Sequence, residues 1–357
     1  MAPIHPLRYS FQPGPSQLAP DVLSLIEEAV QQRLLSRYHR DPVWRELFSQ
    51  AQESVRSHLE LPGEWLVVFV SSATEAWQVL VDATADLTSI HILQGAFGER
   101  WYHLQKAVSP FAYSYAVQEG SQWEPQLSSL AEKYGAIGFV GVVHTETSRG
   151  AELPALSDLR SSFPQALIAV DVTSSLGGLL LPWEAADIWF ASVQKCLGLP
   201  PGFGVLLLSP SAWKRFADLP RTRYNSLGYL IEKARQHEPP FTPNLLSLYL
   251  LARSLPSRPT LRNTADQLEK RARWLYDALE KAGYQPKVNK PYRARTVLSF
   301  RWREGQNVAQ IRGKLEAAGL YLGWGYGEEK EASFRIANFP ALPQEAYEEL
   351  VEQLKEA

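Results

Sequence analysis

The chain of 357 residues is long enough for two domains, and its 45% hydrophobic residues, with 11 Trp and 14 Phe, supply a large core. A net charge of −2 argues against nucleic acid and against an anionic membrane surface as partners. A single cysteine excludes an internal disulfide, and the seven histidines show no metal-ligand spacing, so we expect a cytoplasmic protein without a metal site. The first residues lack a signal-peptide pattern, and the apolar segment LLSLYLLA is shorter than the roughly 20 residues that cross a bilayer.

The first helix is predicted after a proline-rich arm, in the segment PDVLSLIEEAVQQRLLS. Val22, Ile26, Ala29, Val30 and Leu34 recur there at helical spacing, and a proline precedes them at a position that suits a helix start. We therefore expect these five side chains to form the apolar face of one helix.

Seven short apolar runs follow, and each has the length of a buried strand. They are EWLVVFV, SIHIL, YSYAVQ, AIGFVGVV, ALIAVDV, DIWFASV and FGVLLLS. Runs with few alternating polar positions indicate strands covered by helices on both faces of a mainly parallel α/β sheet.

The pattern changes near Leu245 to long helical stretches and a few strands, which is typical of a smaller α+β domain. We expect an N-terminal arm over residues 1–15, a large domain over 16–245 and a small C-terminal domain over 246–357.

Polar or small residues follow five of the predicted strands, in the segments SSATEA, GAFGERW, HTETSRG, DVTSS and QK. Ligands of parallel α/β sheets bind at the carboxyl ends of the strands. The sequence therefore predicts one site built from these five segments.

Lys195 carries the most specific chemistry in these segments. A lysine at the end of a buried strand has its pKa lowered by desolvation, which makes it a nucleophilic amine suited to a Schiff base. Asp171, at the end of the preceding strand, suits the pyridinium nitrogen of pyridoxal phosphate. The small residues of SSATEA open a helix whose first amides suit a phosphate group.

These segments resemble one known family. VQKCLGLPPGFGVLLLS is similar to the lysine segment of the class V, fold-type I pyridoxal-phosphate enzymes, and HTETSRG, VDVTSSLGG and PGPSQL resemble other blocks of that family in the same order. The resemblance extends from Pro13 to Pro340 and implies the fold of these transferases, with a large domain whose sheet is mainly parallel and a smaller α+β domain. It also implies an aminotransferase that uses pyridoxal 5'-phosphate and acts as a homodimer.

The resemblance further implies roles for individual residues. Lys195 would form the Schiff base, Asp171 would contact the ring nitrogen, and Phe97 would stack on the ring, where many relatives have Trp. The remaining cofactor contacts would come from Ala73, Thr74 and Gln194 at the phosphate, from Thr147 near the phenolic oxygen or the aspartate, and from Thr242 at the phosphate of the neighbouring subunit. Arg335 in FRIANF resembles the arginine that binds the substrate α-carboxylate, for which a planar guanidinium is suited.

The substrate is indicated by YHRDPVW, where His39 and Arg40 resemble a pair that contacts the substrate phosphate in phosphoserine aminotransferases. The implied reaction exchanges an amino group between L-phosphoserine and 2-oxoglutarate. An alanine-glyoxylate or serine-pyruvate type aminotransferase is the alternative, because it would share every cofactor residue. A cofactor-binding protein without turnover is a further alternative that the sequence leaves open.

Overall fold

The computed structural model describes residues 6–119, 122–134, 136–221 and 223–357. The first five residues of the predicted arm lie outside the described residues. The strands, in chain order, are β1 Tyr9–Phe11, β2 Leu66–Val70, β3 Ser89–Leu93, β4 Ala112–Ala116, β5 Phe139–Val143, β6 Thr145–Glu146, β7 Ala151–Glu152, β8 Leu167–Asp171, β9 Ile188–Ser192, β10 Gly204–Leu208, β11 Gln285–Pro286, β12 Val297–Arg301, β13 Leu320–Trp324 and β14 Ser333–Ala337. The helices are α1 Val22–Gln31, α2 Pro42–His58, α3 Ala73–Ala83, α4 Ala96–Val108, α5 Trp123–Tyr134, α6 Ser157–Ser162, α7 Pro210–Phe216, α8 Leu227–Arg235, α9 Leu245–Ser254, α10 Leu261–Lys281, α11 Val308–Ala317 and α12 Gln344–Lys355.

A seven-stranded sheet has the order β2-β10-β9-β8-β5-β3-β4, and each of the seven predicted runs contributes one of its strands. Only β10 runs against its neighbours, so the other strands of this sheet share one direction. Two large apolar clusters cover its faces, as expected for strands that are apolar on both sides. The prediction of a mainly parallel sheet covered by helices is confirmed.

A second, five-stranded sheet has the order β1-β13-β14-β12-β11. Its first strand comes from the N-terminal arm, and Tyr9 pairs in parallel with Leu320. Phe11, Phe300 and Phe334 are fully buried in the apolar cluster between this sheet and helices α10 and α12. The arm is therefore joined to the C-terminal part of the chain.

The first helix differs from its prediction. Helix α1 ends at Gln31, Arg33 adopts a left-handed backbone conformation (φ 52°), and Leu34 lies in a separate 3-10 turn. Val30 is 59% exposed, so its assignment to the apolar face is wrong. Only one side of α1 contacts α9, and Val30 is rotated by about 100° from its neighbour Ala29, away from that contact.

The predicted boundary between residues 245 and 246 stays a prediction. Helix α9, which begins at that point, is buried in the same apolar cluster as residues of α1 and α2. Among the described residues, no helix is both long and apolar enough to cross a membrane.

Candidate active site

A cavity of about 410 Å³ lies at the carboxyl ends of the large sheet. It is lined by Ala73, Thr74, Phe97, Thr147, Asp171, Gln194, Lys195 and Arg335, which all belong to the predicted site. A larger hollow of about 630 Å³ beside α2 and the start of α10 contains none of the predicted residues. The structure thus brings eight predicted residues from distant parts of the chain to one place.

Lys195 follows the end of β9 and is only 7% exposed. Its Nζ donates hydrogen bonds to Thr147 Oγ1 at 2.7 Å and to Ser174 Oγ at 2.9 Å. Burial lowers the pKa of Lys195 to about 8, although the carboxylates of Asp171 and Glu146 act in the opposite direction. A substantial fraction of this amine is neutral near pH 8, which is the form that attacks a carbonyl carbon.

Asp171 ends β8 and is held at both carboxylate oxygens. The indole Nε1 of Trp77 donates to Oδ2 at 2.9 Å, and the backbone N–H of Thr173 donates to Oδ1 at 2.8 Å. Burial raises the pKa of the Asp171 carboxyl, while Thr173, the charge of Lys195 and Trp77 oppose this rise. A cationic ring nitrogen at this carboxylate would favour the ionised form further.

The start of α3 forms one end of the cavity. Ser72 caps this helix by accepting from the N–H of Glu75 at 3.1 Å, and the N–H of Ala73 donates to Ser192 Oγ at 2.8 Å. The positive end of the helix dipole therefore faces the cavity beside Ala73 and Thr74. A phosphate group is favoured at such a helix start.

The cavity also contains polar atoms suited to a polar ligand. Gln194 Oε1 and Thr145 Oγ1 are buried and have no hydrogen-bond partner among the described residues. A half-turn of the Gln194 amide exchanges this oxygen for a donor, which suits a phosphate oxygen. With an amine, a carboxylate and a helix start around one cavity, these residues fit pyridoxal 5'-phosphate.

Phe97 lies in the first turn of α4, and its ring centroid is 5.6 Å from Lys195 Nζ. The carboxylate of Glu146 accepts from the N–H groups of Phe97 at 3.5 Å and Gly98 at 3.2 Å, which fixes the start of this helix. Tyr326 lies against Phe97, with ring centroids 5.5 Å apart. A flat ring beside Lys195 would thus meet an aromatic wall.

Arg335 lies on β14 of the five-stranded sheet and lines the cavity. Its Nε donates to the carbonyl of Trp324 at 2.7 Å, and its Nη1 donates to the carbonyl of Thr147 at 2.8 Å. Its Nη2 has no hydrogen-bond partner among the described residues. Burial lowers the pKa of Arg335 to about 10, so the guanidinium is charged at neutral pH and suited to a carboxylate.

His39, Arg40 and Thr242 do not line this cavity. They lie near one another at the surface, where Thr242 Oγ1 is 3.3 Å from His39 Nδ1. Arg40 is exposed, and its Nη1 lies 3.8 Å from Glu238 Oε2. Thr242, predicted to reach a neighbouring subunit, and His39 and Arg40, predicted to contact the substrate phosphate, are therefore grouped outside the cavity of their own chain.

Trp77 and Ser174 have contacts in the site but were given no role in the sequence analysis, although Ser174 lies within the predicted segment DVTSS. Trp77 bonds Asp171, and Ser174 bonds Lys195. A signal for Trp77 was present, because it lies four positions after Ala73 on a helix and so shares its face. Ser174 follows Asp171 in a loop, where the sequence carries no periodic signal.

The similar proteins are aminotransferases. No family model matches the sequence. An uncharacterized aminotransferase of Methanocaldococcus jannaschii is 28% identical over 85% of this chain and 80% of its own length. A phosphoserine aminotransferase of Rhodococcus jostii is 25% identical over 96% of this chain and 92% of its own length.

Two solved structures extend this similarity to the fold. A phosphoserine aminotransferase of Cytophaga hutchinsonii has a TM-score of 0.89 and 29% identity, with 98% of both chains covered. An alanine-glyoxylate aminotransferase of Nostoc sp. has a TM-score of 0.84 over 100% of this chain and 96% of its own, and its 22% identity supports the fold alone.

Fold, cavity and these similarities define the class: the chain is a pyridoxal-phosphate-dependent aminotransferase of fold type I. Within that class it is similar to the class V members, in agreement with the resemblance seen in its lysine segment.

Proposed function

We propose that this aminotransferase transfers the amino group between L-phosphoserine and 2-oxoglutarate. Phosphoserine aminotransferases occur among the similar curated proteins and the similar solved structures, and one of the latter shares 29% identity over 98% of the chain. Such an activity would serve serine synthesis in the cytoplasm.

The observation that carries this proposal is the surface group formed by His39, Arg40 and Thr242, in which Arg40 and Thr242 are exposed and His39 is half-buried. Its hydrogen-bonding and cationic groups have no role in the cavity of their own chain, and the side chains are accessible. We propose that the protein is a homodimer and that this group completes the cavity of the partner. The partner subunit would then supply a second anion-binding position in addition to Arg335.

Two anion-binding positions suit both proposed substrates. The Nη2 of Arg335 is available for the α-carboxylate that L-phosphoserine and 2-oxoglutarate share. The phosphate of one substrate and the distal carboxylate of the other would meet Arg40 and His39, since cationic and hydrogen-bonding groups favour doubly charged ligands. Alanine has no second anionic group and would gain nothing from Arg40.

The proposed cofactor residues act around this substrate position. Bound pyridoxal phosphate withdraws electrons from the substrate Cα, which makes its proton removable. Lys195 would then carry that proton as base and acid, and its lowered pKa suits this task near neutral pH. Asp171 would hold the ring nitrogen, and Ala73, Thr74 and Gln194 would hold the phosphate.

The first test compares two amino donors on the cofactor-loaded protein. L-phosphoserine and L-alanine are mixed separately with the enzyme, and the visible cofactor absorbance is followed in a single turnover. We expect rapid conversion by phosphoserine alone. Conversion by alanine alone would instead support the alanine-glyoxylate or serine-pyruvate type, and absence of any visible band would contradict the role proposed for Lys195.

The second test replaces the cation of the proposed phosphate position. Arg40→Ala should raise KM for phosphoserine by about 10- to 100-fold, because a charge-assisted hydrogen bond is lost. The exposed Arg215 on α7 provides the control, because Arg215→Ala removes the same charge at a residue outside the group. Equal KM values for both variants would rule out Arg40 as a substrate contact.

A further inference from the structure

Helix α3 contacts the site at two points. Its first residues line the cavity at the proposed phosphate position, and Trp77, one turn later, donates its indole N–H to Asp171 Oδ2 at 2.9 Å. We propose that Trp77 is a positioning residue, which fixes the Asp171 carboxylate in the orientation that receives the ring nitrogen of the cofactor. This inference rests on the role proposed above for Asp171.

The direction of the hydrogen bond from Trp77 to Asp171 favours the ionised form of the carboxyl group. An indole N–H can donate but cannot accept, so it pairs with the ionised carboxylate and gives no support to a proton on the same oxygen. The second oxygen receives the N–H of Thr173 at 2.8 Å, so both oxygens are held. A carboxylate fixed at both oxygens loses little freedom when a cationic ring nitrogen binds it.

The surroundings keep the indole in place. Trp77 is 2% exposed and stacks on Trp101, with ring centroids 6.3 Å apart and planes inclined by 11°. The charged side chain that acts on Asp171 is Lys195, which follows β9. Burial of Asp171 opposes its ionisation, and the indole N–H counteracts that effect.

Trp101 provides a matched control. It is fully buried, it packs in the same aromatic stack, and its Nε1 has no hydrogen-bond partner among the described residues. Trp77→Phe and Trp101→Phe therefore remove the same atoms from neighbouring sites. Only the first variant removes a donor from Asp171.

The experiment measures binding of pyridoxal 5'-phosphate to both cofactor-free variants, by absorbance or fluorescence titration between about pH 5.5 and pH 9. We expect Trp77→Phe to raise the dissociation constant about tenfold more than Trp101→Phe, the loss of one hydrogen bond to a charged group. As the pH is lowered, the cofactor affinity of Trp77→Phe should begin to fall at a higher pH than that of Trp101→Phe. The reason is that Asp171 is protonated more readily without the indole N–H. The melting temperatures should drop similarly in the two variants.

Equal affinities and equal pH profiles of the two variants would overturn the proposal, since Trp77 would then act only by packing. The variant Asp171→Asn distinguishes a purely structural Trp77 from a wrong assignment of Asp171 as the partner of the ring nitrogen. Unchanged cofactor binding in Asp171→Asn would overturn both the assignment and the positioning role. The proposed substrate does not enter these measurements, so a different amino donor would leave their outcome unaffected.

A second measurement is available if Trp77→Phe does not fold. Indole ¹H–¹⁵N spectra of the wild type and Asp171→Asn are compared with the cofactor bound. We expect one indole proton to shift when the acceptor loses its charge. Spectra without any shifted indole signal would overturn the proposal.

Discussion

Lys195 is the buried amine on which the site depends, and its burial has a consequence for stability. The pKa of about 8 in the folded chain lies below the ordinary value of 10.5. Between these values the unfolded chain binds more protons than the folded one, so the free energy of unfolding rises with pH. Below about pH 8 both states are protonated and this contribution is constant.

We predict that cofactor-free wild type gains up to about 3 kcal/mol of unfolding free energy relative to Lys195→Met between pH 8 and pH 10.5. Denaturant unfolding of both proteins across this range measures the difference. Taking the difference removes the contributions of tyrosines that titrate in the same range. A constant difference would show that burial does not alter the protonation of Lys195.

Arg335 is fixed through two of its nitrogens, and this geometry predicts the effect of a conservative change. Lysine keeps the charge but has no planar fork, so Arg335→Lys cannot bond the carbonyls of Trp324 and Thr147 and a carboxylate together. We expect KM to rise by about 100-fold for the amino donor and for the oxo acid alike. A rise for only one substrate would contradict a shared α-carboxylate position.

Sequence patterns located the strand-end residues because the carboxyl ends of neighbouring parallel strands lie at the same edge of the sheet. Asp171 ends β8 and Lys195 follows β9, and because these two strands are parallel neighbours, the proximity of the two residues follows from the sheet. The hydrogen bonds of Trp77 to Asp171 and of Ser174 to Lys195 depend on the directions in which these side chains point. Hydrophobic patterns in the sequence do not specify those directions. The surface group at His39 was suggested by family resemblance alone.

At the scale of elements, the start of α4 is packed too tightly for a larger residue. A Cβ on Gly95 would lie 2.7 Å from Ser148 Oγ and 2.8 Å from Glu146 Cγ. Glu146 holds the first amides of α4, so its displacement would also move Phe97.

We predict that Gly95→Ala lowers the unfolding free energy by about 1–3 kcal/mol and weakens cofactor binding. The exposed Gly313 inside α11 is the control, because a Cβ there meets no atom within 4 Å. Gly313→Ala should stabilise the protein by about 0.5–1 kcal/mol. Thermal unfolding and cofactor titration of both variants measure these effects. Unchanged stability and cofactor affinity in Gly95→Ala would show that the Glu146 side chain can move aside without cost.

The elements themselves were partly predictable. The seven apolar runs became strands because their composition favours burial on both faces. Strand β1 was not predicted, since three residues carry too little pattern and its pairing partner lies in β13, near the opposite end of the chain. Val30 was wrongly assigned to the apolar face because α1 ends at Gln31, before Leu34, and its buried face is narrower than the sequence pattern predicts.

At the scale of the whole molecule, the proposed dimer predicts complementation between two variants that are both impaired at phosphoserine concentrations well below the KM of Arg40→Ala. Lys195→Ala and Arg40→Ala would each impair every site of their own dimers. A hybrid dimer would contain one intact site, which combines Lys195 of one subunit with Arg40 of the other.

Random exchange of subunits should restore about one quarter of the wild-type sites, because half of the dimers are hybrids with one intact site each. Mixing the two purified variants under mild dissociating conditions and measuring phosphoserine turnover tests this expectation. Two samples of Lys195→Ala mixed in the same way serve as the control. No recovery despite proven subunit exchange would place Arg40 and Lys195 in the same chain's site.

The parallel pairing of β1 with β13 also governs when the site can form during protein synthesis. Tyr9 is translated roughly 310 residues before its partner Leu320, so the pairing has to wait until β13 has been made. The arm residues Gln12 to Pro15, which line the cavity next to β1, must wait for that partner. The large sheet, whose last strand β10 ends at Leu208, is able to form on the nascent chain, but the cavity becomes complete only after β13 has left the ribosome.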